Sequence, residues 1–298
     1  MIYTHRFPSG LRLVMEKIPS VRSVSIGIWI GVGSKHETSE NNGISHFIEH
    51  MLFKGTQTRS ARDIAEAFDS IGGHLNAFTS KEYTCYYAKV LDQHVELALE
   101  ILSDMFFNAK LDEEDLEKEK NVILEELHMY EDTPDDLIHD LIAEATFKDQ
   151  TLGYNILGRK EVLEKLKPHD LREYIQTYYT PQNTVLAVAG NFDEQQIITM
   201  AEYYFNRFNN HSEHPRQVEH YVTSEHLLRV KGTEQAHLCI GLEGLPLGDS
   251  KLYALVLLNN ILGGSMSSRL FQEVREERGL AYSVFSYHTS FQETGSLH

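Results

Sequence analysis

Apolar and polar positions follow two different periods along the chain, and each period predicts one kind of element. Alternation at every second residue predicts strands at residues 11–14 and 24–30 and a hairpin at 74–78 and 83–90. A continuous apolar run predicts a further, buried strand at 184–190. Apolar residues that recur every three to four positions predict helices at 44–52, 60–70, 95–107, 112–130, 135–147, 171–178 and 194–208. These elements predict an α+β fold in which helices flank a mixed or antiparallel sheet.

The chain beyond residue 217 repeats the pattern of its beginning. The polar stretch 209–217, which contains Pro215, predicts a linker. After it, residues 238–242, 252–262, 269–277 and 281–287 correspond in order to the segments at 24–30, 44–52, 60–70 and 74–78. We therefore predict two structurally homologous α/β units, a domain at 1–212 and a partial domain at 217–298. The second unit lacks a counterpart of the long helices, so either the chain is a fragment or this unit is truncated.

Composition narrows the class of protein. Apolar residues make up 41% of the chain and charged residues 24%, as in ordinary soluble domains. The net charge of −17 argues against a nucleic-acid partner, and it fits either an acidic cavity or a solvated acidic surface. Cys85 and Cys239 lie far apart and predict buried thiols rather than a disulfide. Because neither a signal peptide nor a membrane span is recognisable, we expect a cytoplasmic protein with no membrane partner.

The first candidate metal ligands and catalytic base lie in the helix at 44–52, which contains His46-Phe47-Ile48-Glu49-His50. Two histidines four residues apart lie one above the other on a single helix face, so both imidazoles can reach one metal ion. Glu49 falls on the same face, where a base beside a metal-activated water belongs. This H-x-x-E-H order is typical of the inverzincins, and it predicts a metallopeptidase.

The residues around the motif separate this hypothesis from a plain amphipathic helix with solvated polar side chains. One apolar stripe and one opposite stripe follow helical spacing; the first is Ile44, Phe47, Ile48, Met51 and Leu52, and the second is His46, Glu49, His50 and Phe53. The pattern favours a helix whose back lies in a core and whose imidazoles face a cavity or solvent. Asn41 and Asn42 are the expected N-terminal caps of this helix.

A third metal ligand is required, because a zinc site with two histidines needs at least one more protein ligand. The helix at 112–130 places Glu119 and Glu126, seven residues apart, within or beside an apolar stripe of Leu116, Val122, Ile123, Leu127 and Tyr130. Two carboxylates on a core-facing side are costly unless they are paired or bound to metal. Either they meet buried Arg or Lys side chains, or they complete the metal site.

Taken together, these motifs resemble the M16 family of zinc peptidases, most closely its bacterial processing-peptidase-like branch. In that family a glutamate ligand follows the second histidine by about 76 residues, the position of Glu126, and another glutamate lies seven residues earlier, the position of Glu119. The resemblance extends over 73–79 and 262–271. It implies one zinc ion per chain, held by His46, His50 and Glu126, with Glu119 orienting a ligand. The second unit carries no such motif, so one site is expected.

The same resemblance implies further roles. The strand around Asn76 and Ala77 would pair with an extended peptide and Phe53 would line the substrate site, although these residues alone fit an ordinary strand and helix. Arg275 and Tyr282 would hold the substrate backbone and the developing oxyanion, although alone they read as a surface charge and a strand aromatic. We expect a zinc-dependent endopeptidase or oligopeptidase acting on extended peptides, with Glu49 as the base, and a homodimer. The alternatives are a non-catalytic subunit of a larger complex and a half-enzyme that needs a separate partner.

Overall fold

The computed structural model describes residues 2–208 and 220–298, in which groups of strands are separated by groups of helices. The strands are β1 (Ile2–Arg6), β2 (Arg12–Lys17), β3 (Ser23–Ile30), β4 (His74–Thr79), β5 (Thr84–Leu91), β6 (Thr184–Gly190), β7 (Leu242–Glu243), β8 (His288–Ser290) and β9 (Gly295–Leu297). The helices are α1 (Ile44–Leu52), α2 (Ala61–Asp69), α3 (Val95–Asn108), α4 (Glu113–Asp132), α5 (Pro134–Phe147), α6 (Lys160–Leu163), α7 (Pro168–Tyr178), α8 (Glu194–Phe205) and α9 (Leu252–Leu262).

The chain divides into two compact units. The first joins residues 1–128 to 155–216, and the second joins 129–154 to 217–298. The predicted domain boundary placed 129–154 in the first unit, whereas the structure groups this segment with the second. Phe147 at the end of α5 packs with Phe291, and Thr223 binds the backbone carbonyl of Thr146, which explains the grouping. The predicted linker at 209–217 lies outside the described residues.

A six-stranded sheet forms the centre of the first unit. Its strand order is β1-β2-β6-β3-β5-β4, so β1 and β4 are the two edges. The pairing of β2 with β6 is parallel and the other pairings are antiparallel. Along β3 the even-numbered residues are at most 1% exposed, whereas Ser25 and Trp29 on the other face are open to solvent. The helices therefore cover one face of the sheet, as the alternation predicted.

Helix α1 packs its apolar stripe into the core of the first unit. All five predicted stripe residues, from Ile44 to Leu52, are at most 1% exposed. The helix contacts β4, β5 and α7, so the opposite face is left for the polar residues of the motif. Each fully buried large apolar side chain stabilises the fold by about 1.5–3 kcal/mol. Because a rotation of α1 about its axis would expose these side chains, their burial fixes the orientation of the helix.

The second unit contains a three-stranded sheet of order β7-β9-β8, with α5, α9 and a π-helix at Phe271–Glu277. Helix α9 begins and ends where the pattern predicted. The strands predicted at 238–242 and 281–287 are wrong, because only Leu242 of these residues lies in a strand. Leu238 and Ile240 are 86% and 66% exposed and have no sheet neighbour among the described residues. Alternation alone does not make a strand where no neighbour supplies hydrogen bonds.

Both cysteines are free, as predicted; Cys85 is buried in β5, but the prediction that Cys239 is buried is wrong, because Cys239 is half-buried and lies outside any strand. No helix within residues 2–208 and 220–298 combines the length and the apolarity that a membrane crossing needs.

Candidate metal centre

Three potential ligand atoms converge where α1 meets α4 in the first unit. His46 and His50 project from the polar face of α1, and Glu126 projects from α4. One ligand atom from each of the three lies within 4.8 Å of the other two, the one such group found among the described residues. Glu126 Oε2 lies 3.8 Å from His46 Nε2 and 3.6 Å from His50 Nε2.

The spacing and chemistry of these atoms fit a zinc ion. Both separations are too long for hydrogen bonds, so the three side chains point at a common space without bonding one another. Ligands at about 2.0–2.2 Å from a tetrahedral zinc ion lie about 3.3–3.6 Å apart, close to the observed distances. Burial, reinforced by the nearby His50, lowers the pKa of His46 to about 3. Its imidazole is therefore neutral near pH 7, which is the form that binds metal.

Glu119 fixes the orientation of His50. The carboxylate is almost fully buried, and its Oε1 lies 2.8 Å from His50 Nδ1 while its Oε2 lies 2.5 Å from Lys54 Nζ. Burial opposes ionisation of Glu119, but the bonds to His50 and Lys54 outweigh it and lower the pKa of the carboxyl. An ionised Glu119 accepts the Nδ1 proton of His50, so the lone pair of Nε2 points toward Glu126.

Glu49 stands beside the three ligand candidates, between two histidines in sequence and against the end of β4 in space. Its Oε2 accepts a hydrogen bond of 2.5 Å from the hydroxyl of Thr79. Burial raises the pKa of Glu49 and the nearby Glu126 adds to this, whereas the Thr79 bond and His50 oppose it. A carboxylate with a raised pKa next to a metal site suits a group that accepts and returns a proton near neutral pH.

The N-terminus of α1 is bound by a residue that sequence reasoning missed. Glu37 accepts hydrogen bonds from Gly43 N at 2.7 Å, Ser45 N at 2.9 Å and Asn42 Nδ2 at 2.9 Å. The predicted caps Asn41 and Asn42 are wrong, because neither side chain binds a backbone N–H of the helix. A carboxylate satisfies the free N–H groups of a helix start and also complements its dipole. Glu37 thus anchors the helix that carries both histidines.

Helix α4 differs from its predicted stripe at two positions. Leu116, Ile123 and Leu127 are buried, as expected, but Val122 is 50% exposed and Tyr130 37%. Val122 lies six residues after Leu116, about 120° away around the helix, and so falls off the buried face. The burial of the two glutamates depends on their position around the helix, although both are charged. Glu119 is buried, and Glu126 is half-buried at the edge of the buried face.

The residues expected to bind substrate lie near the same part of α1. Phe53 follows directly after α1 and packs half-buried against the core. Asn76 and Ala77 lie on β4, which pairs with β5 on one side and is the edge of the sheet on the other. Asn76 is exposed, and its Oδ1 accepts the backbone N–H of Ala77. An edge strand presents unpaired backbone groups to which an extended chain can add.

Arg275 and Tyr282 lie in the second unit and form a pair of their own. The guanidinium carbon of Arg275 stands 5.4 Å from the centre of the Tyr282 ring and 4.6 Å from that of Phe271, both cation–π contacts. Both members of the pair line a surface cavity of about 320 Å³, together with Gly263, Gly264 and Met266. Tyr282 was predicted on a strand, but it lies in irregular structure and is 87% exposed.

Comparison with known proteins identifies the family. Residues 12–160 match the insulinase domain of peptidase family M16, and residues 165–297 match the M16 inactive domain. The chain belongs to peptidase family M16. The inactive-domain match agrees with a second unit in which the helix at 252–262 carries no H-x-x-E-H.

Bacterial M16 relatives share much of this sequence. An uncharacterized zinc protease of Bacillus subtilis is 55% identical over 297 residues, which cover 100% of this chain and 72% of the relative. One from Streptomyces coelicolor is 44% identical over 296 residues, covering 97% of this chain and 64% of the relative. The chain thus spans about two thirds of the length of these relatives, and it is a member of a zinc metallopeptidase family.

Solved structures share the fold at low sequence identity. A protease from Helicobacter pylori superposes with a TM-score of 0.90 at 19% identity, over 100% of this chain and 73% of that chain. A peptidase M16 inactive domain from Pseudomonas fluorescens gives a TM-score of 0.85 at 18% identity, over 100% of this chain and 73% of that chain. The predicted α+β class, with helices flanking a mixed sheet, is confirmed.

Proposed function

We propose that this M16 chain carries the catalytic centre of a zinc-dependent endopeptidase that hydrolyses extended peptides. The observation that carries the proposal is the convergence of His46, His50 and Glu126 within 4.8 Å, with Glu49 beside them. Two imidazoles and one carboxylate form one of the ligand sets of catalytic zinc sites.

A zinc ion in this site would supply Lewis acidity, which lowers the pKa of a water molecule and polarises a peptide carbonyl. Glu49 takes a proton from the attacking water and returns it to the leaving amine. Its Oε2 already accepts a hydrogen bond from Thr79, so the other carboxylate oxygen carries the proton. Glu119 holds His50 in the tautomer that leaves Nε2 free for metal.

Peptide binding is proposed for the edge of β4. An extended substrate would pair with the backbone around Asn76 and Ala77, and Phe53 would contact one of its side chains. Strand addition recognises a peptide through hydrogen bonds to its backbone rather than through contacts with particular side chains. This mode of binding suits a peptidase that acts on several sequences. For Arg275 and Tyr282, which line one cavity, we propose contact with the substrate backbone and with the developing oxyanion.

The decisive variant is Glu49→Gln, which keeps the size of the side chain and removes the base. We expect about one zinc ion per chain, as in the parent, and a loss of about 100- to 10,000-fold in kcat on a fluorogenic peptide. Glu66→Gln is the matched control, because Glu66 lies exposed on α2 and, in the part of the chain that the structure describes, its one ion-pair partner is the exposed Arg62. Zinc-loaded Glu49→Gln with undiminished cleavage would show that Glu49 is not the base.

Chelation tests the metal requirement separately. Removal of zinc should abolish cleavage, and added zinc should restore it; cleavage that persists in zinc-free protein would refute the proposed function.

The proposal includes a homodimer, for which sedimentation equilibrium should give twice the mass of one chain.

A further inference from the structure

The last residue of the edge strand β4 connects that strand to Glu49. Odd-numbered residues of β4 face the helices, so Thr79 directs its side chain toward α1 while its backbone pairs with Thr84 of β5. Its hydroxyl donates to Glu49 Oε2 at 2.5 Å, although the two residues are 30 positions apart in sequence. One side chain thus ties the candidate peptide-binding strand to the candidate base.

This bond is the principal constraint on the carboxylate of Glu49. Within residues 2–208 and 220–298, Thr79 is the one hydrogen-bond donor to the side chain of Glu49, and Oε1 has no protein partner. A glutamate side chain has three rotatable bonds, and the terminal one is broad, so an untethered carboxylate samples many orientations. Threonine is a stiff tether, because branching at Cβ restricts its χ1. The bond therefore selects both the orientation of the carboxylate and the oxygen left free.

We propose that Thr79 is the positioning residue of Glu49: its hydroxyl holds Oε2 so that Oε1 receives the proton, and it keeps the base in register with the peptide on β4. This inference rests on the proposed function. A general base acts only within about 2.6–3.2 Å of the proton it abstracts, and a displacement of about 1 Å can cost about 100-fold in rate. Thr79 touches neither water nor peptide in this role, so it acts through Glu49 alone.

The test is the pair Thr79→Val and Thr79→Ser in the full chain. Valine keeps the shape and removes the hydroxyl; we expect kcat to fall about 10- to 100-fold, with KM and zinc content unchanged. Equal losses in kcat and kcat/KM are the signature of an interaction needed only in the transition state. Serine restores the hydroxyl with a freer χ1, so it should recover kcat to within about threefold of the parent.

Thr4→Val is the matched control, because Thr4 is an exposed threonine on β1, the opposite edge of the same sheet. It should leave kcat, KM and the melting temperature as in the parent. A merely structural role of Thr79 would lower zinc content or melting temperature in Thr79→Val, and serine would not restore kcat; that result overturns the inference. Full kcat in Thr79→Val overturns it too. The proposed function fails by other results, an active Glu49→Gln or cleavage in zinc-free protein, so the two failures are distinguishable.

Discussion

The two units hold their candidate catalytic residues in different ways. In the first unit, His50 is bound by the buried Glu119, Glu49 is bound by Thr79, and the histidine helix is anchored by Glu37. In the second unit, Arg275 rests on aromatic rings, and Tyr282 is 87% exposed. Hydrogen bonds to buried partners fix both position and proton location, whereas stacking on a ring fixes position loosely. We therefore propose that the first unit binds metal before substrate arrives.

The largest effect should follow removal of the third ligand. Glu126→Gln loses the anionic donor of the metal site, and we expect zinc affinity and peptidase activity to fall by more than about 100-fold. Chelator competition measures the affinity. Glu125→Gln is the control next in sequence, since the Glu125 side chain is 82% exposed and should have no effect. If Glu125→Gln loses zinc and Glu126→Gln keeps it, α4 presents a different face to the site.

Arg275→Ala tests whether the second unit contributes to catalysis without contributing to metal binding. If Arg275 acts on substrate, the variant loses about 100- to 1,000-fold in kcat/KM, as expected for an oxyanion donor, and it keeps full zinc affinity. Arg278→Ala is the control, because Arg278 is a neighbouring exposed arginine whose nearest carboxylate is Glu273 at 3.5 Å. Steady-state kinetics and zinc titration on the same samples give both quantities. An unchanged kcat/KM would show that Arg275 has no role in catalysis.

Glu119→Gln should have a smaller effect on the metal. The amide keeps the shape but lacks the charge that holds the His50 Nδ1 proton, so zinc affinity should fall about 10- to 100-fold. Glu117→Gln is the control on the same helix, because the Glu117 side chain is 61% exposed. Equal zinc affinity in Glu119→Gln and the parent would mean that Glu119 has no influence on the ligand.

The smallest effect is on stability and depends on pH. His46 is neutral in the folded metal-free protein because its pKa is about 3, against about 6.5 in the unfolded chain. Between these values the unfolded chain binds a proton that the folded chain does not, so stability decreases as pH falls. From pH 7 to pH 6 the loss from this residue is about 0.7 kcal/mol. Urea unfolding of the metal-free parent and His46→Gln at both pH values measures this loss. The change in the free energy of unfolding between pH 7 and pH 6 should differ between the two proteins by this amount; identical changes contradict the prediction.

Sequence patterns predicted what depends on neighbours along the chain. The spacing of His46, Glu49 and His50 sets their common helix face whatever the tertiary structure, and in the structure His46 is buried while Glu49 and His50 are half-buried. Lys54, four residues after His50, also follows this rule and was overlooked. Glu126 could be chosen over Glu119 only through the family spacing, because both glutamates lie on the same side of one helix.

Residues joined by the sheet were not predictable in the same way. Thr79 reaches Glu49 because β4 ends beside α1, which depends on the register of β4 with β5. Glu37 reaches Gly43 through a loop whose path no periodicity encodes, with Gly43 at a φ of 99°. The strand predicted at 238–242 failed for the converse reason, since its alternation is real but no neighbouring strand pairs with residues 238–241 in the described part of the chain.

Crystallography at the zinc absorption edge tests the metal centre most directly. An anomalous difference map of zinc-loaded protein should show one strong peak in the first unit, about 2.0–2.2 Å from His46 Nε2, His50 Nε2 and a Glu126 carboxylate oxygen. Glu119 should remain bound to His50 Nδ1 and lie outside bonding distance of the metal. A peak bound by Glu119 in place of Glu126, or a peak away from α1, would contradict the proposed centre.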